Sequence, residues 1–161
     1  MRSQRSSEKR ANQFSSDRSA LDQITVYLAK RDHSEKELRT KLAKKFEPQE
    51  IEEAILEAKE RKWLAAPEDL AERVTNALHR KKKGRLYIQR YLKEKGLPAH
   101  PLEDEQELEK AHELLERKFG ELNSKLLSNP SDRQKIYRYL AYRGFTDETI
   151  RLAMNQKKCV D

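Results

Sequence analysis

Side chains able to do chemistry are plentiful in this chain, but their spacing builds no reaction centre. The four histidines, His33, His79, His100 and His112, fall on different predicted elements. No pair has metal-ligand spacing with a cysteine or a second histidine. There is no glycine-rich phosphate loop. The acidic pairs Glu52-Glu53 and Glu103-Asp104 lie in helix-forming, solvated contexts and read as surface charge. Neither an enzyme nor a cofactor is expected. What remains is a mixture of basic and aromatic residues: Tyr87, Arg90 and Tyr91, and then Tyr137, Arg138, Tyr139, Tyr142 and Arg143. Rings that stack on bases beside guanidinium groups that meet phosphates make a surface for single strands. Tyr91 and Tyr139, next to core leucines, read as half-buried packing residues, which leaves Tyr87, Tyr137 and the arginines as candidates.

The charge distribution points the same way. From Arg80 to Lys95 there are eight basic residues and one acid, Glu94, a window that holds the whole formal net charge of +7. Glu103 to Glu121 has eight acids against three bases. Separate basic and acidic faces suit polyanions and charged protein surfaces. Within the basic window, Lys81, Lys82, Lys83 and Arg85 join Arg90 as candidates for phosphate contact.

The elements that must position these residues are helices in a repeat. Sliding the sequence on itself aligns Leu38, Ile88 and Ile136 in one column and Leu42, Leu92 and Leu140 in the next. Basic residues follow each leucine, then a break, then Ile51, Leu102 or Ile150. A period near fifty residues marks an array of small helical units, each too small to bury its own apolar face. Composition agrees, with 39% charged residues against roughly 25% in average globular proteins. Much surface per residue fits an elongated chain of small clusters better than a compact sphere. With only 4 Gly and 5 Pro and no sustained period-two alternation, the expected fold class is all-α.

Residues 1–18 read as a disordered basic tail. The first repeat, 19–65, opens with Leu21, Ile24 and Leu28 on one face. Ser34 with Glu37 predicts a capping box at its second helix, Leu38, Leu42 and Phe46 predict that helix's buried stripe, and Pro48 predicts the first position of a third helix. Trp63 is expected to plug the core between repeats. The second repeat, 66–104, has a helix through Leu70, Val74 and Leu78, interrupted by Gly84, and another through Ile88 and Leu92, closed by Gly96. Its third helix is expected to be a turn or two around Leu102, between Pro98 and Pro101. The third repeat, 105–157, has a helix over about 105–118, the Lys135–Phe145 stretch, and a last helix capped by Thr146. Residues 158–161 form a tail. A nearly continuous core is expected through Leu42, Leu92 and Leu140.

Three stretches carry a family resemblance: Leu28-Ala29-Lys30-Arg31-Asp32-His33-Ser34-Glu35-Lys36-Glu37-Leu38, Arg117-Lys118-Phe119-Gly120, and Tyr139-Leu140-Ala141-Tyr142-Arg143-Gly144-Phe145. In this order and spacing they resemble the signatures of the RecX family, bacterial regulators of the RecA recombinase. The resemblance covers about residues 20–155. It implies tandem three-helix repeats, no catalytic activity, and binding in the helical groove of the RecA filament on single-stranded DNA, restraining filament growth, ATPase and strand exchange. In the second repeat, where the family has a Lys-Gly-aromatic-Gly turn, this sequence reads Lys81-Lys82-Lys83-Gly84.

The residues assigned to contact with DNA or the filament are Arg31, Lys81, Lys82, Lys83, Arg85, Tyr87, Arg90, Arg138 and Arg143. The expected partners are the RecA filament and single-stranded DNA, met directly or through the filament, by a monomer. A lone cysteine, Cys159, fits a reducing cytosol. No apolar run approaches a membrane span of roughly 18 residues, so no membrane role is expected. A different reading is a stand-alone helix-turn-helix DNA-binding regulator, in which the Pro48–Lys62 helix would enter the groove. Its glutamates, Glu50, Glu52, Glu53, Glu57 and Glu60, would repel phosphates. A protein-interaction solenoid with no nucleic-acid role is a third.

Overall fold

A computed structural model describes residues 18–120 and 127–155. The N-terminal and C-terminal tails and part of the connector after Gly120 lie outside the described residues. The described residues form helices without strands, as expected: α1 (Ala20–Leu28), α2 (Glu35–Leu42), α3 (Pro48–Glu60), α4 (Pro67–Arg80), α5 (Arg85–Lys95), α6 (Asp104–Phe119), α7 (Pro130–Arg143) and α8 (Asp147–Asn155). They divide into two units, Met1–Leu70 and Ala71–Asp161.

In the first unit α1, α2 and α3 pack on one another around Ile24, Leu38, Leu42, Ile51, Ile55 and Ala58. Their entry points are set by local chemistry. Ser34 accepts the Glu37 N–H and the Glu37 carboxylate accepts the Ser34 N–H, both at 3.2 Å, closing the expected capping box. A second box, unforeseen, starts α1, with Ser19 and Asp22 in the same roles. Each cap satisfies amides that would otherwise have no partner, worth typically about 1 kcal/mol. Pro48 takes the first turn of α3, where its missing N–H costs nothing. Beyond α3, Lys62 adopts the left-handed conformation with φ +56°, and Trp63 N–H reaches back to Ala58 O at 2.9 Å. That closure turns Trp63 outward. It is 39% exposed, with the Arg61 guanidinium 4.9 Å from its ring centroid, so it does not plug a core.

In the second unit α8 packs on α6 and α7. Their shared core holds Leu114, Leu115, Ile136, Leu140, Phe145 and Ile150. Thr146 accepts the Thr149 N–H at 3.1 Å and starts α8, as its position predicts. The expectation of one core through Leu42, Leu92 and Leu140 is corrected: Leu42 belongs to the first cluster, Leu140 to the second, and buried Leu92 to neither. Each cluster closes locally because each triplet of helices presents its apolar stripe to its own members. No helix forms around Leu102. Pro98 and Pro101 donate no N–H, and each steers the residue before it, Leu97 and His100, away from helical angles.

Candidate nucleic-acid interface

The basic window sits where the α4–α5 turn meets the end of α7. α4 closes with Lys82 in the left-handed conformation at φ +53°, its N–H bonded to His79 O at 2.8 Å, and Lys83 N–H bonded to Leu78 O at 3.1 Å. Gly84 therefore does not break α4. It stands in extended conformation before α5, and its missing side chain is needed for packing. Gly84 N–H bonds Arg143 O at 2.9 Å and Leu86 N–H bonds Gly144 O at 2.8 Å. A Cβ on Gly84 would lie 2.4 Å from the carbonyl carbon of Gly144. One on Gly144, whose φ is +88°, would lie 2.5 Å from the Tyr87 Cβ. The two turns thus touch backbone to backbone, which only glycine permits.

Helix α6 fixes this turn from its other side. Glu107 accepts the Arg85 N–H at 2.8 Å and pairs with Lys110. The Lys110 ammonium also donates to Lys83 O at 3.0 Å and lies 2.9 Å from His79 Nδ1. The Lys110 and Glu107 side chains are only 7% and 2% exposed. Burial holds the Lys110 ammonium below its usual pKa. Burial, and then the Lys110 charge, lower that of His79. A neutral His79 can accept the ammonium proton, so the cluster works as a donor–acceptor chain. Sequence reasoning missed it.

Around this fixed turn the nine candidate residues sort themselves. Arg31 lies in the first unit, where its guanidinium pairs with Glu37 at 2.8 Å and donates to Asp32 O at 2.7 Å. The other eight lie in the second. Lys82 pairs with Glu113 on α6, and Arg85 is half-withdrawn, donating to Leu102 O at 2.7 Å and pairing with Asp104. Both point their charge at the acidic helix. Lys81 is exposed, and its carbonyl accepts from Arg143 at 3.4 Å. The Lys83 ammonium rests 4.2 Å from the Tyr87 ring centroid and the Arg90 guanidinium 5.6 Å from it. Arg143 lies 5.2 Å from the Tyr139 ring, and Arg138 is exposed on α7. Lys81, Lys83, Tyr87, Arg90 and Arg143 are therefore grouped by the joined turns.

The tyrosines divide as well. Tyr139 packs on the core with its ring edge-on to Phe119 at 5.8 Å, and the Lys118 ammonium lies 4.0 Å from it. Tyr137 donates to the Asp147 carboxylate at 2.5 Å, tying α7 to the start of α8. That contact gives its hydroxyl a structural task, while the residue remains 39% exposed. Tyr142 is 86% exposed. Tyr91 is half-buried as expected, but its ring also stacks against Tyr87. Among the described residues no group of three or more His, Cys, Asp or Glu could hold a metal ion. No helix among them is long and apolar enough to cross a membrane.

Fold and surface together define an all-α protein of tandem three-helix units carrying a cation-and-tyrosine face. The family descriptions "RecX, first three-helix domain" and "RecX, third three-helix domain" match residues 20–57 and 104–154. "Regulatory protein RecX" of Salmonella paratyphi C is 36% identical over 147 residues, covering 81% of this chain and 86% of that protein. Its counterpart in Leptothrix cholodnii is 34% identical over 137 residues, covering 78% and 80%. The chain belongs to the RecX family. The fold is also that of solved structures: a regulatory protein RecX matches with TM-score 0.67 at 18% identity over 85% of this chain and 72% of that one. RecX from Lactobacillus salivarius matches with TM-score 0.63 at 18% identity over 84% and 92%.

Proposed function

We propose that this protein is a non-enzymatic regulator that binds the RecA recombinase filament on single-stranded DNA and restrains its growth, its ATPase and strand exchange. It acts in the cytoplasm as a monomer, through three repeats at 19–65, 66–104 and 105–157. The observation that carries the reading is the grouping of Lys81, Lys83, Tyr87, Arg90 and Arg143 at the joined turns, in a chain of the RecX family. A face of cations and rings meets phosphate and base together, and a filament on single-stranded DNA offers both. Reading α3 as a groove-entering recognition helix has less support. Glu50, Glu52, Glu53 and Glu60 are exposed along it, and phosphates would be repelled.

The experiment is the DNA-dependent ATPase of the cognate RecA with and without this protein. The rate should fall at substoichiometric to equimolar ratios, because a repeat array that bridges adjacent protomers blocks further addition. An unchanged rate at saturating protein refutes the proposal.

A further inference from the structure

Of the six tyrosines, five are engaged within the fold: Tyr27 against His33, Tyr87 and Tyr91 against each other, Tyr137 through its hydroxyl to Asp147, and Tyr139 against Phe119. Tyr142 is the exception. It is 86% exposed in the last turn of α7, and no ring or cation among the described residues lies against it. Arg138, four residues earlier, shares its side of the helix, is exposed, and has no acidic partner among the described residues. The next residue, Arg143, donates to Lys81 O at 3.4 Å, which brings the exposed Lys81 to the same end of α7. From this we infer that Tyr142 is the base-stacking residue of the surface: one base of an unpaired strand settles on its ring, while Arg138, a turn back, and Lys81, beyond the helix end, meet the flanking phosphates. This deepens the reading above and rests on it for the nature of the ligand.

An open ring needs no contact displaced before it can stack. Tyr87 differs, since the Lys83 ammonium lies 4.2 Å and the Arg90 guanidinium 5.6 Å from its centroid. A base arriving there must exchange with cation contacts worth about two- to fivefold each in an equilibrium. A base stacked on an aromatic side chain is worth roughly fivefold to a hundredfold, and Tyr142 gives up only its hydration. Arg138 stands about 6 Å back along the helix axis, a separation that one nucleotide spans. The end of a helix ordinarily repels anions through its unpaired carbonyls. Here the carbonyls of Arg143 and Gly144 already accept the Gly84 and Leu86 N–H groups, at 2.9 and 2.8 Å, so a phosphate meets the cations instead. The cations that flank the ring match a phosphate backbone.

The test compares fluorescence anisotropy binding of the full chain to a short oligothymidylate and to an abasic strand of the same length and charge, without recombinase. The parent should prefer the base-bearing strand by roughly tenfold. Tyr142→Ala should remove most of that preference, and Tyr142→Phe should retain it. The side chain is exposed and alanine favours helix, so both variants should fold as the parent does, which circular dichroism checks. Arg138→Gln should keep the preference while lowering the salt slope by about 0.7. A parent indifferent to the bases, or a preference undiminished in Tyr142→Ala, overturns the assignment. Loss of filament binding in Tyr142→Ala with the naked-strand preference intact also overturns it, and makes the ring a protein contact. The strand measurements do not involve the recombinase ATPase, so failure here and failure of the regulatory reading are told apart.

Discussion

The buried pair of Glu107 and Lys110 invites a direct test of how the basic turn is held. Removing one partner strands the other in a site where the side chains are 2% and 7% exposed. Such a loss costs about 3–5 kcal/mol. Lys110→Met leaves the Glu107 carboxylate with the Arg85 N–H and takes the donor from Lys83 O. Glu107→Gln leaves a buried ammonium without its counter-charge, held by His79, Lys83 O and an amide oxygen that the Arg85 N–H also needs, and its already lowered pKa lets it shed a proton and limit the loss. Lys110→Met should therefore cost more. The double variant Glu107→Gln, Lys110→Met removes both charges, keeps an amide oxygen for the Arg85 N–H and takes the donor from Lys83 O and the half-buried His79 Nδ1, at about 1–3 kcal/mol each. It should be less damaging than the two single losses added together. Urea denaturation followed by circular dichroism measures all three. Because Trp63 is the only tryptophan and lies in the first unit, a transition without change in tryptophan emission reports the second. Single losses under about 1 kcal/mol, or a double loss equal to their sum, would show that the pair is not coupled as its geometry implies.

Acid should weaken the second unit: the folded pKa of His79 is lowered, so the unfolded chain binds the extra proton first and stability falls as pH drops through about 6.5. His33 has the same sign in the first unit. Urea midpoints at pH 7.5 and 5.5 check this, and His79→Gln should flatten the second unit's response; a flat parent refutes it. Gly84→Ala should cost about 1–3 kcal/mol by collision with Gly144 and also weaken strand binding. Gly120→Ala, with φ +72° and open space around its Cβ, should affect stability only, and the paired stability and binding measurements separate them. Reversing Lys81 and Lys83 to Glu should weaken binding to single strands of any sequence and lower the salt slope by about 1.4 for two phosphate contacts. Lys82→Glu should change the slope less, because that charge is already paired with Glu113. Unchanged naked-strand affinity with lost filament binding would instead place these residues on an acidic patch of the recombinase.

Helix class and much of the register were legible because they depend on spacing within one helix. Leu38, Leu42, Ile88, Leu92, Ile136 and Leu140 are all buried, as their columns require. The Ser34–Glu37 box was readable from four residues because its partners are three apart. Trp63 was misread for the opposite reason. Its size argued for burial, but the left-handed turn at Lys62, a residue with no glycine to announce it, decides where the ring points. The same applies to the α4–α5 turn, where Gly84 looked like the helix breaker and Lys82 takes the strained angle. The glycine is required by a contact with Gly144, sixty residues away in sequence, that no local pattern encodes.

The candidate site was legible as a composition but not as an arrangement, and the division follows from where each cation finds its counter-charge. Lys82 and Arg85 looked equivalent to Lys81 and Lys83 in the window, yet α6 brings Glu113 and Asp104 against the first two. Tyr87 and Tyr91 had a readable signal in their spacing of four, although the place of Tyr91 beside Leu92 points to packing alone. A ring can do both when one edge meets the core and one face meets cations. Glu107 and Lys110 had no such signal. An acid and a base three apart beside an apolar stripe are ordinarily a solvated pair worth a few tenths of a kcal/mol. Here the α4–α5 turn closes over them, turning an ordinary surface pair into the brace that orients the basic turn. A side chain's role was therefore legible where its partners lie within one or two helical turns, and hidden where a second element supplies the partner.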